Sequence, residues 1–240
     1  MIQSLWIGSG FSNNELLCMR SFLHHGQAFH LYVYEPMPGI PEGVEIRDAN
    51  EIIPAARLFL DSRNSHASFA DWFRLKLLFQ RGGWWIDLDV VCLQPLDGPD
   101  DHCFSSEMHY NRKDAELNNI CIKAPAGSAF IGEMLTQAES RLGDASMVEW
   151  GAIGIRLIRD CMSRHEEMAG FVQPPDVFCP LPYYDLSSLI CKSEYAPAKH
   201  TKGIHLWNEV WMRGGLDKNA VYHPDSIYER LKKTYLPNII

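Results

Sequence analysis

The chain has 240 residues, of which 46% are hydrophobic and 22% charged, a composition typical of a soluble globular domain. Its formal charge of -8 and pI near 5.7 argue against a nucleic-acid binder, because such proteins cluster Lys and Arg to displace counterions from phosphates. An anionic ligand would therefore need a cation or a well-placed arginine.

Signals for export and membrane insertion are not apparent in the sequence. Residues 1–10 lack a basic segment followed by an apolar run, and no run of about 18 apolar residues follows. The seven cysteines include no Cys-x-x-Cys pair, the spacing that zinc and redox sites use. We expect reduced, mostly packed thiols and a cytoplasmic protein, with a peripheral position at the inner face of a membrane as an alternative.

The N-terminal part predicts a strand, a helix and a second strand. Residues 5–7 and 29–34 are rich in β-formers and predict strands. Between them, Ser12 can cap a helix over 13–25. This order is typical of a parallel sheet that carries helices on its faces.

The middle of the chain predicts a helix followed by a buried strand. Residues 68–80 have apolar side chains at helical spacing and are followed by two glycines after position 81. Residues 84–93 are too apolar for a surface strand and predict one continuous buried strand. Asp87 and Asp89 interrupt this apolar run.

Further on, residues 119–123 predict a strand, and residues 129–142 and 150–163 predict helices. From about residue 174 onward, the chain is rich in proline and aromatic residues, and we expect this C-terminal segment to cover the domain. Since no internal repeat or linker interrupts the sequence, we predict one domain over 1–240.

Asp87 and Asp89 are candidate metal ligands. Two residues apart in an extended strand, they would leave the same face, about 7 Å apart at the backbone, and could bind one hard cation. Burying two like charges is costly unless a positive charge lies between them, which favours Mn²⁺ or Mg²⁺. Alternatively, the two aspartates cap a loop or pair with arginines.

Asp71 and Arg74 lie three residues apart on the preceding predicted helix, and therefore on one face. The guanidinium could bind diphosphate oxygens or sugar hydroxyls, and the carboxylate could accept hydrogen bonds from hydroxyls. The alternative is an ion pair on a solvated surface, which contributes a few tenths of a kcal/mol.

Residues 68–89, SFADWFRLKLLFQRGGWWIDLD, resemble the signature of glycosyltransferases with the DXD-containing sugar-binding region. This family includes yeast-type initiating mannosyltransferases, α-1,4-N-acetylglucosaminyltransferases and bacterial capsular polysaccharide glycosyltransferases. The resemblance implies an α/β, GT-A-like fold, with a mostly parallel twisted sheet and helices on both faces, and a retaining transfer. It also implies that the donor lies at the carboxyl ends of the strands, where open α/β sheets generally bind ligands.

Within that signature, the resemblance assigns direct metal ligation to Asp89. Asp87 would bind the ribose or a metal-bound water and complete the carboxylate pair at the cation. Arg74, with Asp71, would hold the diphosphate and the sugar. These residues are the predicted catalytic group, and the resemblance implies Mn²⁺ or Mg²⁺ as the cofactor.

Outside the signature, the resemblance is weaker. Trp6 lies where the family places an aromatic residue that stacks on the base, and Asn119 where it places a contact to the donor sugar. Residues 205–211 are similar to a C-terminal His-x-Trp-x-x-Ser-Trp element, so that His205 would complete the metal site and Trp211 would contribute to donor binding. Val210 replaces the serine of this element and removes one expected hydrogen bond to the diphosphate.

The resemblance implies transfer of a hexose or N-acetylhexosamine from a nucleotide-diphosphate sugar, with a UDP-sugar favoured over GDP-mannose. The acceptor would be a glycan or glycolipid in polysaccharide or lipopolysaccharide synthesis. Two alternatives stay open: a haloacid-dehalogenase-type phosphatase with Asp87 as nucleophile and Asp89 as acid and base, and an inactive sugar-binding protein. The phosphatase motif normally closes the first strand and is followed by Gly-Thr, whereas Val90-Val91 follows here.

Overall fold

The computed structural model describes residues 1–98, 101–110, 114–144 and 147–237. The strands in these ranges are β1 (Ile2–Trp6), β2 (Phe29–Val33), β3 (Val44–Asp48), β4 (Gly83–Ile86), β5 (Val90–Cys92), β6 (Cys103–Met108), β7 (Ala115–Ala124) and β8 (Gly203–His205). The α-helices are α1 (Asn13–His24), α2 (Ala67–Arg81), α3 (Ala129–Asp144), α4 (Ile155–Met162), α5 (Pro175–Phe178), α6 (Ser187–Ile190), α7 (Asn208–Arg213) and α8 (Ile227–Tyr235).

Six strands form the main sheet in the order β3-β2-β1-β4-β7-β6. The strands β1 to β4 run parallel to one another, while β7 is antiparallel to both of its neighbours, β4 and β6. Five of the six strands therefore point the same way, which confirms the predicted mostly parallel sheet. The strands β5 and β8 form a separate antiparallel pair.

The main sheet is covered on both faces, as predicted. Along β4, Trp84 and Ile86 face a cluster that includes α1, whereas Trp85 faces the opposite cluster, which includes α2, α3 and α4. This alternation follows from the two-residue period of a strand. The strand is buried on both faces, as parallel strands in α/β folds generally are.

The N-terminal elements match their predicted types. Ser12 caps α1 in a capping box with Glu15, and Gly26 adopts a positive φ of 70° just after the helix. The sequence did not predict β3 or β6. The first of these, β3, is an edge strand whose side chains are exposed or half-buried, so it has little of the apolar pattern on which prediction depends.

The predicted continuous strand over 84–93 is wrong. The chain leaves the main sheet after Ile86, turns through Asp87 and Asp89, and enters β5 at Val90, whose N–H donates to the carbonyl of Asp87 at 3.1 Å. Because this turn replaces extended backbone, the two aspartates do not leave one strand face as predicted. The apolar run continues because β4 and β5 are both buried, but in different sheets.

One further element boundary differs from the prediction. The helix predicted over 150–163 begins only at Ile155, after Gly151 with a φ of 74°.

Five of the seven cysteines are buried, as expected for packed thiols. The C-terminal segment contributes α5 to α8 and β8, and its apolar side chains share one cluster with α1. Among the described helices, none is both long enough and apolar enough to span a membrane.

Gly82 connects α2 to β4, and we predict that Gly82→Ala destabilises the protein by about 2 kcal/mol or more. Its backbone has φ 63° and ψ -164°, a region that only glycine adopts readily, and an added Cβ would lie 2.5 Å from the backbone nitrogen of Ala126. Urea unfolding measures the loss. Gly26→Ala is the control, because Gly26 has a similar φ of 70° but no atom within 4 Å of the added carbon.

In the Gly26→Ala control, the left-handed backbone alone should lower the free energy of unfolding by about 1 kcal/mol. Equal destabilisation by the two substitutions would show that the contact between Gly82 and the loop after β7 is unimportant.

Candidate active site

Polar side chains from three elements meet at the carboxyl end of β4. Asp87 directly follows this strand, and Asn119 lies on β7, two residues beyond the Ile86 to Cys121 pairing of the two strands. The helix α2 supplies Asp71 and Arg74. The site thus forms where the parallel sheet opens, as in other α/β folds.

Arg74 is the centre of this group. Its Nη2 donates to Oδ1 of Asp87 at 2.7 Å, its Nη1 donates to the backbone carbonyl of Asn119 and lies 3.4 Å from Oδ1 of Asp71, and the guanidinium lies 4.9 Å from the ring centroid of Trp85. Only 5% of the Arg74 side chain is exposed. The alternative of an ion pair on a solvated surface is therefore wrong.

Asp71 occupies the inner end of the group. Its Oδ1 accepts from Nδ2 of Asn119 at 2.7 Å. Burial raises the pKa of Asp71 to about 6, against the opposing effects of the Arg74 charge and the Asn119 hydrogen bond. Gly154, before α4, packs directly against this carboxylate, since an added Cβ would lie 2.0 Å from Oδ2. Asn119 and Gly154 therefore both contact the Asp71 carboxylate.

Asp89 is joined to the C-terminal segment by the β5–β8 pair. The register sets Val90 opposite His205, and the N–H of Leu206 donates to the carbonyl of Asp89 at 2.9 Å. This pairing brings the His205 imidazole to Asp89, with Nε2 3.1 Å from Oδ1, across 116 residues of sequence. The other carboxylate oxygen, Oδ2, accepts from the backbone N–H of Asn208 at 2.7 Å.

These contacts make Asp89 a stable carboxylate. Burial alone would raise the pKa of Asp89, but the charge and hydrogen bond of His205 and the N–H of Asn208 together lower it. For His205, burial lowers the pKa, but the nearby Asp89 carboxylate outweighs that effect and the pKa lies well above the ordinary value. Asp89 and His205 thus form a buried ion pair.

Asp87 has the opposite environment. Its Oδ1 accepts from both Arg74 and Nε1 of Trp85, each at 2.7 Å. Burial, assisted by the negative charge of Asp89, raises the pKa of Asp87 above its ordinary value, although the Arg74 charge opposes the shift. The two carboxylates of the Asp-x-Asp pair are therefore not equivalent.

The donor set suits a hard divalent cation in chemical type, because carboxylate oxygens and imidazole are accepted ligands of Mn²⁺. Among the described residues, no group of three His, Cys, Asp or Glu side chains is already arranged to hold a metal ion. Asp87 and Asp89 lie on one turn, and Nε2 of His205 lies against Asp89, so the other ring nitrogen, Nδ1, is directed away from that carboxylate. In chemical type, though not in their present arrangement, these residues fit a divalent cation.

Of the remaining predicted residues, Trp6 ends β1 and is half-buried against Phe11, with 5.5 Å between ring centroids. Its Nε1 is buried and has no partner in the described part of the chain. Trp211 is fully buried, and its Nε1 donates to the carbonyl of Leu206 at 2.6 Å. In this conformation, Trp211 offers its indole N–H to the protein itself, and its role in donor binding stays a prediction.

Sequence reasoning missed three residues that shape the site: Trp85, Asn208 and Gly154. Trp85 lies two residues before Asp87, so its strand position could have indicated that both face the same side. The contact of Asn208 runs through its backbone N–H, and Gly154 acts through its missing side chain. Neither of these two contributions has a local sequence signal.

Comparison with known proteins identifies the class. Residues 24–108, about a third of the chain, match the family described as glycosyltransferase sugar-binding region containing DXD motif. This region includes Asp71, Arg74, Asp87 and Asp89. This match confirms the predicted resemblance to that family over these residues. No curated protein matches the chain in sequence.

Two solved structures align with this chain. The structure titled PaToxG Glycosyltransferase aligns with a TM-score of 0.51 at 16% identity, and the alignment covers 70% of this chain and 69% of that one. The UDP-bound glycosyltransferase domain from the YGT toxin aligns with a TM-score of 0.44 at 10% identity, over 95% of this chain and 81% of that one. The first alignment, with the sheet described above, confirms the GT-A-like fold.

The raised pKa of Asp71 predicts a pH-dependent stability. The folded state retains a proton up to about pH 6, whereas the ordinary value is 3.8, so stability falls as pH rises through this window. The free energy of unfolding of Asp71→Asn, relative to wild type, should therefore increase as pH rises from 3.8 to about 6 and then stay constant. Urea unfolding at several pH values measures the difference. The exposed Asp225→Asn controls for loss of one carboxylate, and a pH-independent difference for Asp71→Asn would contradict the prediction.

Proposed function

We propose that this protein is a metal-dependent, retaining glycosyltransferase that moves a hexose or N-acetylhexosamine from a UDP-sugar to a glycan or glycolipid acceptor. The observation that carries the proposal is the buried Arg74, which contacts Asp71, Asp87 and Asn119 at the carboxyl end of β4. Such a cation, enclosed by carboxylates at the open end of a sheet, can exchange its partners for the oxygens of a diphosphate.

The order of the strands supports one orientation of a nucleotide-sugar donor along the edge of the sheet. Trp6 ends β1, Asp87 follows β4, and Asn119 lies on β7, and these three strands are consecutive in the sheet. A nucleotide sugar could place its base at Trp6, its diphosphate near Arg74 and Asp87, and its sugar near Asn119 and Asp71. The Trp6 side chain is only half-buried, so part of its ring is open to a base at the first of these positions.

We propose Asp87, Asp89 and His205 as the residues that hold the metal together with the diphosphate. When bound, Mn²⁺ or Mg²⁺ would stabilise negative charge on the leaving diphosphate. Asp89 supplies a carboxylate that its neighbours keep ionised. His205 is held beside it by the β5–β8 pair, and it would give up the proton of its ion pair with Asp89 on binding the cation.

In the transfer itself, a hydroxyl oxygen of the acceptor forms a bond to the anomeric carbon while the bond from this carbon to the diphosphate breaks. The diphosphate leaves with the electron pair, and the hydroxyl proton can pass to the departing oxygen. Attack from the same face would give retention without a protein nucleophile. Arg74 would stabilise the charge that develops on the leaving group.

We further propose that the chain is one domain over 1–240 and that residues from about 174 onward cover the donor site. The contacts of Asp89 with His205 and Asn208 support this role, because they tie the segment to the carboxylate pair. Polysaccharide or lipopolysaccharide synthesis, a cytoplasmic location and a peripheral membrane position remain predictions.

The two alternatives receive less support. A phosphatase nucleophile should be free to attack phosphorus, whereas Oδ1 of Asp87 accepts two hydrogen bonds, and Asp87 follows the fourth strand rather than the first. An inactive sugar-binding protein would not need to retain Asp71, Arg74, Asp87 and Asp89 together in one site.

The proposal predicts that UDP raises the melting temperature by several degrees with Mn²⁺ and only weakly in excess EDTA, because the acidic residues repel a diphosphate until a cation intervenes. Asp89→Asn should abolish the Mn²⁺-dependent increase while the protein stays folded. Differential scanning fluorimetry measures both effects, and Asp225→Asn, at an exposed position, is the control.

Equal stabilisation by UDP in Mn²⁺ and in EDTA would exclude the metal role. In the same titration, His205→Ala should weaken the response to Mn²⁺, whereas His200→Ala should not, since His200 is exposed and pairs with Asp176. An unchanged Mn²⁺ response of His205→Ala would remove His205 from the metal site.

For Arg74→Lys, we expect turnover of the UDP-sugar to fall by at least about tenfold although the charge is kept. A lysine cannot reproduce the planar guanidinium that bonds Asp87 and the Asn119 carbonyl together. Arg81→Lys is the matched control on the same helix, because Arg81 pairs with the exposed Glu51 and contacts Tyr32. Wild-type turnover by a folded Arg74→Lys protein would overturn the assignment.

A further inference from the structure

Two strands, β7 and β6, extend the candidate site beyond the proposed donor residues. β7 pairs with β4 through Cys121 and then extends further, to Ala115, with β6 alongside it as the last strand of the sheet. Since β6 points the same way as β4, its carboxyl end lies on the site side of the sheet and leads to Tyr110. This edge is opposite to the Trp6 side.

A ladder of aromatic rings leads along this side from His205 to the surface. The centroid distances are 3.9 Å from His205 to Trp207, 5.8 Å from Trp207 to Tyr183, 5.3 Å from Tyr183 to Tyr184 and 5.1 Å from Tyr184 to Tyr110. We call Tyr110, Tyr183 and Tyr184 the tyrosine platform. Its inner end touches Trp207, and its outer end is open to solvent.

The platform is unusual in its exposure. Tyr110 is 65% exposed and Tyr184 is 45% exposed, although tyrosine rings usually bury most of their apolar surface. In the described part of the chain, the hydroxyl groups of these tyrosines make no hydrogen bond to the protein. Exposed rings that touch one another and offer free hydroxyls can stack on an apolar face and bond polar edges of the same ligand.

Trp207 gives the inner end of the ladder a fixed position. Its backbone has a φ of 61°, in the left-handed region, and its Nε1 donates to the carbonyl of Leu181 at 2.9 Å. A non-glycine residue in this conformation costs free energy and is often found at functional sites. The indole is thus held between His205 and Tyr183, where the proposed metal site meets the platform.

We propose that the tyrosine platform and Trp207 bind the acceptor, and that this acceptor is an uncharged oligosaccharide rather than a single sugar. This inference rests on the proposed glycosyltransferase function. Pyranose rings present apolar C–H faces and polar edges, which match the faces and hydroxyls of tyrosine. Because the ladder consists of several rings in succession, 3.9 to 5.8 Å apart between centroids, successive sugars of a chain can each contact a different ring.

The rings of the platform are uncharged and suit a neutral ligand, and Tyr110 follows β6, which lies on the far side of β7 from β1 and β4. Binding there would direct the end of an oligosaccharide toward His205 and Asp89. The platform would determine which acceptor is used and how firmly it is bound, while the donor residues act on the transferred sugar.

The test compares wild type with Tyr110→Ala/Tyr184→Ala on an array of immobilised neutral oligosaccharides and the matching monosaccharides, in the presence of UDP and Mn²⁺. Wild type should bind at least one oligosaccharide more tightly than its monosaccharide, and the double alanine variant should bind it at least about tenfold more weakly. Tyr110→Phe/Tyr184→Phe should retain most of the affinity. Val221→Ala, at a 79% exposed position away from the ladder, is the control.

The double alanine variant should keep the Mn²⁺-dependent increase in melting temperature with UDP and the hydrolysis of UDP-sugars. Absence of oligosaccharide binding by wild type, or equal binding by wild type and the alanine variant, overturns the platform proposal. A change in oligomeric state without a change in glycan binding, measured by analytical ultracentrifugation, would also overturn it in favour of a contact between copies. Failure of UDP to bind would instead refute the proposed function. The array would still show whether the platform binds oligosaccharides.

Discussion

A single buried guanidinium, that of Arg74, joins α2, β4 and β7 at the point where the sheet opens. A buried charge is tolerated only with close partners, and Arg74 has them in Asp87, Asp71 and the carbonyl of Asn119. These contacts fix where the carboxylates lie relative to the strand ends. Because the partners are themselves acidic or polar, the same guanidinium can be offered to the oxygens of an anionic ligand.

The turn through Asp87 and Asp89 connects this centre to the rest of the molecule. By leaving the main sheet, the chain presents a second short strand, β5, with which β8 can pair. This pair brings His205 and the N–H of Asn208 to Asp89. The C-terminal segment therefore reaches the site through backbone pairing, and any ligand that acts on Asp89 can also influence that segment.

The electrostatics of the site divide it into two halves. Asp89 is kept ionised by the imidazole beside it, whereas burial raises the pKa of Asp87 and Asp71. A chain of formal charge -8 would not attract a diphosphate by its overall field. Recognition of such a ligand must be local, through Arg74 and a cation. The uncharged tyrosine platform lies on the other side and suits a neutral partner.

From local patterns, the sequence predicted the resemblance to glycosyltransferases and the elements that carry Asp71, Arg74 and the Asp-x-Asp pair, because helix periodicity, the glycine stop and a long signature do not depend on distant residues. It could not show that Arg74 is buried or that the apolar run bends between the aspartates, since both follow from packing against other strands. Tertiary structure alone brought His205 to Asp89, because strand pairing across 116 residues depends on the whole fold and has no local pattern.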